Sequence, residues 1–157
     1  GKTAALFSAA AQSGALVAGS DPESIARYRR FGENLGLAFQ IVDDILGIWG
    51  DPQVTGKPAA DDIKQRKKTL PIVQALEEEK RAGSKGLREI YQQEIIDEET
   101  IGVALKILKD LGARRYADEM ANDYYQQALT ELNATGVENE AQEDLRELAA
   151  FLVQRTY

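Results

Sequence analysis

The sequence predicts an all-α fold, an antiparallel helical bundle that occupies a single domain over residues 1–157. Three observations carry this prediction. Apolar residues recur at helical spacing through most of the chain, no run alternates apolar and polar residues as a strand would, and glycines separate the periodic segments. A chain of 157 residues with 43% hydrophobic and 29% charged residues is long enough to bury one sizeable core.

The first two predicted helices occupy residues 2–18 and 22–49. The first is rich in Ala and Gly, and its small side chains predict a tightly packed internal helix. At the start of the second, Asp21 is a capping residue, Pro22 suits the first turn, and Glu23 suits the positive end of the helix dipole. One apolar stripe predicts the buried face of this helix. It comprises Phe31, Leu35, Phe39, Val42, Leu46 and Trp49.

Residues 50–68 are predicted to form one long loop, because two glycines and two prolines interrupt the helical pattern there. Loops of this length in compact domains are often functional. A helix from 69 to about 82 follows, with Pro71 in its first turn. The remaining helices, of which the last ones are expected to form a solvated bundle wall, are predicted at 84–94, 97–111, 113–133 and 138–156.

Composition removes several kinds of chemistry. The chain has no Cys and no His, which excludes thiolate nucleophiles, Cys-based zinc sites and Ser-His-Asp catalysis. A net charge of −7 argues against nucleic acid as the main partner. The Ala-rich start is too short and too weakly apolar for a membrane span, so we expect a cytoplasmic protein without an integral membrane segment. Because the chain begins with Gly1 inside a helical pattern, we also expect a fragment or a processed protein.

The segment around Gln40 places an amide and two carboxylates inside an apolar helical run. Gln40, Asp43 and Asp44 stand at i, i+3 and i+4, so they project from nearly one face of a helix. Adjacent carboxylates on a packed helix repel each other and lose solvation unless a cation lies between them. Carboxylate oxygens are ligands that suit Mg²⁺. The pattern therefore favours a metal site at Asp43 and Asp44, with pairing to Lys or Arg as the alternative.

Two stretches of the predicted loop carry cations. The stretch from Gly50 to Pro58 resembles a nucleotide phosphate loop but fails in its glycine spacing, in Pro58 and in the helix that precedes it. Lys57, between Gly56 and Pro58, can still reach a phosphate. The run from Asp61 to Lys68 is either a solvated charge run or a segment that directs one or two lysines to the same site. Carboxylates, Mg²⁺ and lysines together would support departure of diphosphate from carbon without a protein nucleophile.

Four short blocks occur in order along the chain. They are Lys2-Thr3-Ala4, Phe39-Gln40-x-x-Asp43-Asp44, Gly50-Asp51-Pro52 with Gly56-Lys57, and Asp62 with Lys67-x-Thr69-Leu70-Pro71. In this order they resemble the trans-isoprenyl diphosphate synthases of the polyprenyl synthetase family. The similarity is tight over residues 1–76, looser beyond them, and greatest to bacterial geranylgeranyl diphosphate synthases. It implies the C-terminal half of an antiparallel helical bundle of the isoprenoid synthase type, in a family that is usually homodimeric.

The resemblance implies a Mg²⁺-dependent prenyltransferase that condenses an allylic diphosphate with isopentenyl diphosphate, head to tail. By position, Asp43 and Asp44 match carboxylates of the family's second Asp-rich motif, which binds Mg²⁺. Lys2, Lys57 and Lys67 match lysines that bind the allylic diphosphate.

Three further positions match residues around the reacting carbons. Thr3 matches a residue near the reacting carbon, Gln40 lies beside the allylic site, and Phe39 matches an aromatic residue near isopentenyl diphosphate. The catalytic candidates are therefore Lys2, Thr3, Gln40 and Lys57.

Two departures from the family pattern matter. The third Asp that usually ends the second motif is Gly47 here, and Asp51 is a doubtful substitute because it follows a helix-ending glycine. The family's first Asp-rich motif, and the Lys and Arg that bind isopentenyl diphosphate, would precede residue 1. We therefore expect this chain alone to be inactive or nearly so, and to pair with its own N-terminal half or in a homodimer.

Two alternatives remain. A class I terpene cyclase shares the fold and metal chemistry, but Asn122, Gln126 and Thr130 stand where Asn, Ser or Thr, and Glu would be needed. A non-catalytic subunit or fragment that pairs with a catalytic half is the other alternative. Addition of an N-terminal half discriminates, because only a catalytic half would restore turnover.

Overall fold

The computed structural model describes residues 1–56 and 58–153, and every regular element among them is a helix. The predicted all-α fold is confirmed. No helix among these residues combines the length and apolar character needed to cross a bilayer. The helices are α1 (Lys2–Val17), α2 (Pro22–Trp49), α3 (Pro52–Thr55), α4 (Asp61–Lys64), α5 (Leu70–Ala82), α6 (Gly86–Gln92), α7 (Glu98–Asp110), α8 (Ala113–Asn133) and α9 (Glu140–Val153).

The chain is organised as two compact units. The first contains Gly1–Val42 and the described chain from Met120 onwards, and the second contains Asp43–Glu119. Both boundaries fall inside helices, because α2 and α8 continue from one unit into the other. That residues 1–157 form a single domain stays a prediction.

In the first unit, α1 approaches α2 closely because two glycines remove side chains from the interface. A Cβ at Gly32 would lie 2.7 Å from the carbonyl carbon of Phe7, and one at Gly36 would lie 2.6 Å from Cα of Ala4. The expectation of an internal α1 is wrong, however, because only Ala4 and Ala15 of this helix are buried. Several of its apolar side chains are exposed, with Leu6 at 69%.

The rest of the first unit packs α2, α8 and α9 around a shared apolar core. Buried members include Phe31, Leu35 and Leu132, all at most 3% exposed. Gln142 is 1% exposed, so the expectation of a solvated wall is wrong at this position. Its Nε2 donates to the Leu132 carbonyl at 2.8 Å, and its Oε1 accepts from the Tyr28 hydroxyl at 2.9 Å. These hydrogen bonds satisfy the amide that the core encloses.

The second unit packs α4 to α7 around a separate core that includes Ile63, Ile72 and Leu87, each 0% exposed. A buried carboxylate also stabilises this unit. Glu79 is 3% exposed and accepts hydrogen bonds from the backbone N–H groups of Leu87 at 2.7 Å and Arg88 at 3.1 Å. The side chain thus satisfies donors in the first turn of α6, which have no partners within that helix.

The predicted loop over 50–68 is partly wrong, because it contains α3 and α4. Asp51 caps α3 by accepting from the backbone N–H of Gln53 at 2.8 Å, and Gly56 ends the helix with φ of 67°. Ala60, also in the left-handed region at φ 54°, precedes α4. Burial of Ile63 in the core explains why this second segment is helical rather than extended into solvent.

Candidate functional site

The first unit brings together two of the predicted site residues. The hydroxyl of Thr3 donates to Oε1 of Gln40 at 3.1 Å, across 37 residues of sequence. This contact follows from the close approach of α1 to α2 at Ala4 and Gly36. Lys2 precedes Thr3 and is exposed. The hydrogen bond between Thr3 and Gln40 therefore lies at the N-terminal end of α1, next to Lys2.

Phe39 is half-buried and takes part in the packing of α1 on α2. Its ring stacks on that of Phe7, with the ring centroids 5.6 Å apart and an interplanar angle of 28°. Offset stacking at this separation is a favourable aromatic arrangement. Phe7 was missed by the sequence argument, although its spacing of four from Thr3 places it on the same side of α1.

The two adjacent carboxylates have different surroundings. Asp43 is exposed, whereas Asp44 is half-buried. Oδ2 of Asp44 accepts from the backbone N–H of Leu70 at 3.0 Å, where α5 begins. Asp44 therefore holds the first turn of α5, whose early N–H groups have no partners within the helix.

Lys67 lies in a cluster of carboxylates in the second unit. Its Nζ donates to Oδ1 of Asp62. This hydrogen bond is the main reason that the pKa of Lys67 is raised, and the charges of Asp62, Asp61 and Asp43 raise it further, against a partial opposing effect of burial. The ammonium is thus firmly protonated, and the negative charges of Asp61 and Asp62 in α4, with that of Asp43, favour its charged form.

The side chain of Asp62 is only 6% exposed. The interpretation of residues 61–68 as a solvated charge run is therefore wrong at this position. The alternative interpretation of that run, that one or two of its lysines face the same site as Asp43 and Asp44, stays a prediction.

Gly47 lies directly against the Asp62 carboxylate. A Cβ built on Gly47 would lie 2.5 Å from Cγ of Asp62 and 3.0 Å from its Oδ1, so a side chain at this position would force the Asp62 carboxylate to move. From the sequence, this glycine signified only the absence of a third motif carboxylate. In the structure, a carboxylate from α4 occupies the space beside it.

The backbone around Lys67 has two further anchors that sequence reasoning missed. Arg66 has φ of 53°, and its guanidinium donates to the carbonyls of Gln93 at 2.5 Å and Glu94 at 2.9 Å. The hydroxyl of Tyr91 donates to the Lys67 carbonyl at 3.4 Å. Burial raises the pKa of Tyr91 well above its usual range, with a smaller contribution from Asp62, so this phenol is protonated.

Two other predicted positions differ in outcome. Lys57 lies outside the described residues, so its role stays a prediction. Asp51 caps α3 through its hydrogen bond to Gln53, which accounts for a carboxylate at that position without a metal.

Asp43 and Asp44 provide carboxylate oxygens that fit a Mg²⁺ ion whose other ligands are water and phosphate. Among residues 1–56 and 58–153, no three carboxylates gather closely enough to hold a metal by themselves. Mg²⁺ in proteins commonly binds one or two carboxylates and completes its octahedron with water and substrate phosphates. The adjacent Asp43 and Asp44 carboxylates, of which Asp43 is exposed, suit a magnesium ion that is shared with a diphosphate.

A separate cleft of about 980 Å³ lies elsewhere in the second unit, and none of its lining residues is a predicted site residue. The Arg114 guanidinium lies 5.7 Å from the centre of the Trp49 ring at this cleft. Such a contact is a cation–π interaction that stabilises the packing of α8 near the end of α2.

Comparisons with known proteins agree with the sequence blocks. The family model named Polyprenyl synthetase matches residues 1–108. A (2E,6E)-farnesyl diphosphate synthase from Mycobacterium tuberculosis is 38% identical over 162 residues, which cover 99% of this chain and 44% of that protein.

Two crystal structures share the fold. Geranylgeranyl pyrophosphate synthetase from Pyrococcus horikoshii has a TM-score of 0.84 at 34% identity, over 99% of this chain and 46% of that one. Geranylgeranyl pyrophosphate synthase from Corynebacterium glutamicum, complexed with isoprenyl diphosphate and magnesium, has a TM-score of 0.81 at 30% identity, over 91% and 41%. The chain therefore spans less than half the length of the relatives that it matches.

Proposed function

The chain belongs to the polyprenyl synthetase family, and we propose that it is the C-terminal half of the catalytic domain of a trans-prenyltransferase. The proposed reaction joins isopentenyl diphosphate to an allylic diphosphate and gives a longer linear prenyl diphosphate. The observation that carries the proposal is the geometry of the second unit, where the Asp44 carboxylate accepts from the backbone N–H of Leu70 and the Lys67 ammonium donates to Asp62. Anionic and cationic groups of this kind suit a magnesium diphosphate.

We propose that Asp43 and Asp44 bind Mg²⁺ together with the allylic diphosphate. When bound, the ion supplies positive charge that stabilises the departing diphosphate. The Lys67 ammonium would donate hydrogen bonds to diphosphate oxygens and neutralise further charge as the carbon–oxygen bond breaks. The magnesium and isoprenyl diphosphate present in the Corynebacterium glutamicum structure support this assignment for a relative of the same fold.

The polar residues of the first unit have a different proposed role. Thr3 and Gln40 present hydroxyl and amide oxygens, whose dipoles can stabilise positive charge on the allylic carbon as diphosphate leaves. The isopentenyl double bond would then attack this carbon, and diphosphate would accept the proton that is lost. Lys2, and Lys57 by sequence position alone, are proposed to bind diphosphate oxygens.

The proposed function is tested by supplying the N-terminal half that would complete the catalytic domain. The chain would be combined with an N-terminal half that carries the first Asp-rich motif, either added or fused, in the presence of Mg²⁺. Isopentenyl diphosphate with geranyl or farnesyl diphosphate would be supplied, and the dephosphorylated products would be analysed. We expect a linear prenyl alcohol from the completed protein and little or none from the chain alone.

Two variants make the result specific. Asp43→Ala should abolish product formation by the completed protein, whereas Asp61→Ala, which removes a neighbouring carboxylate outside the proposed metal site, should retain it. Cyclic products would favour the terpene cyclase alternative. Full activity with Asp43→Ala would overturn the assignment of the metal site, and full synthase activity of the chain alone would contradict the half-site interpretation.

A further inference from the structure

We propose that Asp62 is the positioning residue of Lys67, and that a side chain added at position 47 would displace the Asp62 carboxylate from this role. The use of Lys67 for diphosphate rests on the proposed function above. The positioning itself rests on contacts within the second unit and is testable without a ligand.

Asp62 holds Lys67 at two points. Its carboxylate accepts from the Lys67 ammonium, and its main-chain carbonyl accepts from the Lys67 backbone N–H at 2.9 Å. The two partners differ in exposure, because the Lys67 side chain is 46% exposed and that of Asp62 only 6%. A buried carboxylate needs a paired charge, whereas an exposed lysine would otherwise sample many rotamers. The buried partner therefore defines where the exposed ammonium lies.

Gly47 contacts the same Asp62 carboxylate from α2. Gly47 lies in the last turn of α2, two residues before the helix ends at Trp49. The Asp62 side chain lies against this glycine, and its Cγ would lie 2.5 Å from a Cβ at position 47. An alanine there would force the Asp62 carboxylate to move, and we expect this movement to disturb its contact with Lys67. Residue 47 is therefore coupled to the lysine through Asp62.

The backbone on either side of Lys67 is also held. Arg66 adopts φ of 53°, a conformation that is costly for a residue with a side chain. Its guanidinium compensates by donating to two carbonyls after α6, those of Gln93 and Glu94. Tyr91 contributes a third hydrogen bond, to the Lys67 carbonyl. Because these contacts hold the backbone around Lys67, the rotamer of its side chain is what Asp62 orients.

The Asp62 carboxylate of α4 lies beside Gly47, in the last turn of α2. The negative charges that act on Lys67 come from Asp62 first, then from Asp61 and Asp43. The ammonium is thus charged and fixed in place before an anion arrives.

The first test observes the Lys67 ammonium directly in the full chain without ligand. Protein labelled with ¹⁵N-lysine would be examined by NMR, and the Lys67 side-chain signal assigned from its absence in Lys67→Arg. We expect a signal that persists because its exchange with water is slowed, and its loss in Asp62→Asn. The matched control, Asp61→Asn, should retain it, since this removes the same charge one residue away. Persistence of the signal in Asp62→Asn would overturn the proposal.

A second variant reaches the same ammonium from α2. Gly47→Ala should also remove the Lys67 signal, although it changes no charge and touches no lysine. Gly102→Ala is its control, because a Cβ at this helical glycine meets no atom within 4 Å. An unchanged Lys67 signal in Gly47→Ala would contradict the coupling through Asp62. This variant therefore tests the proposal even if Asp62→Asn folds poorly.

Unfolding measurements test the coupling independently. In urea denaturation, Gly47→Ala should lower the midpoint in the wild-type background, and at least half of that shift should disappear in the Asp62→Ala background. Additive shifts would overturn the proposal, because they would mean that the two positions do not interact.

Addition of magnesium pyrophosphate to the completed protein separates this proposal from the proposed function. A slowly exchanging Lys67 signal that depends on Asp62 but does not respond to pyrophosphate would support positioning and contradict diphosphate binding. A Lys67 signal that responds to pyrophosphate equally in wild type and Asp62→Asn would support the function and overturn the positioning.

Discussion

Oδ2 of Asp44 accepts a 3.0 Å hydrogen bond from the backbone N–H of Leu70, at the point where α5 begins. The preceding residue, Asp43, is exposed and interacts electrostatically with Lys67. The adjacent carboxylates of Asp43 and Asp44 therefore have different surroundings in the structure. Asp44 holds the start of α5 and is a proposed metal ligand, whereas Asp43 is exposed and its proposed role is in metal binding.

The first prediction separates these roles. Asp44→Ala should lower the free energy of unfolding by about 1 kcal/mol, because the first turn of α5 loses its acceptor. Asp43→Ala should leave it within about 0.5 kcal/mol while abolishing activity of the completed enzyme. Urea denaturation followed by circular dichroism measures the difference. Equal stability of the two variants would contradict the assignment of Asp44 to the start of α5.

The second prediction concerns the buried carboxylate of Glu79. Glu79→Ala should lower the free energy of unfolding by about 2–3 kcal/mol, because it removes a charged acceptor from two backbone N–H groups of α6. Chemical denaturation at neutral pH provides the measurement. The control is Glu77→Ala, an exposed neighbour on the same helix, for which a change of less than about 0.5 kcal/mol is expected. Similar losses for both variants would be evidence against the capping role.

The third prediction tests the close approach of α1 to α2. Gly32→Ala should be destabilising by about 1–2 kcal/mol in net terms, because overlap with the Phe7 backbone outweighs the better helix propensity of alanine. Gly14→Ala, in α1 with nothing within 4 Å of the added Cβ, should instead stabilise by about 0.5–1 kcal/mol. Thermal and urea unfolding of both variants give opposite signs if the packing is correct. A stabilising Gly32→Ala would disprove it.

The fourth prediction concerns acid stability. The pKa of Asp97 is lowered by its hydrogen bonds to Thr100, and that of Asp21 by its hydrogen bonds to Ser24. Because the unfolded chain then binds protons more readily than the folded one, each aspartate stabilises the fold above the unfolded pKa near 3.8. That contribution is lost as the pH falls through the lower folded pKa.

Asp97→Asn provides the measurement, since asparagine also caps helices but does not titrate there. The melting temperature would be followed between about pH 5 and pH 2. The variant should lose less than wild type over this range, so that the difference between the two proteins changes with pH. A constant difference would mean that the Asp97 carboxylate does not contribute to the acid dependence.

Helix positions followed largely from local signals. The predicted bounds of α1, α2, α5, α7 and α8 agree with the structure to within one or two residues at each end. Asp21 and Asp97 accept hydrogen bonds from the starts of their helices, and Gly83 and Gly112 have positive φ where helices end. The short helices α3 and α4 were missed, because their helical form depends on capping by Asp51 and burial of Ile63 rather than on periodicity.

The candidate site was predictable only in part. Motif order pointed to Thr3, Gln40, Asp43, Asp44 and Lys67, and the structure pairs the first two and gives Lys67 a carboxylate partner. No sequence signal linked Gly47 to Asp62 or identified Arg66 and Tyr91 as anchors. These contacts join different helices and loops, so residue spacing along one helix carries no information about them.

The amino-acid sequence by itself determined the all-α class, most helix ends and the family, because periodicity, capping residues and short motifs act over a few neighbouring residues. Only the tertiary structure decided which charges are buried and which side chains meet. Asp62 and Asp61 are adjacent carboxylates, yet only Asp62 is enclosed beside Gly47 and paired with Lys67. The reason is physical: burial depends on which helix surfaces come together, and no interaction local to residues 61 and 62 distinguishes them.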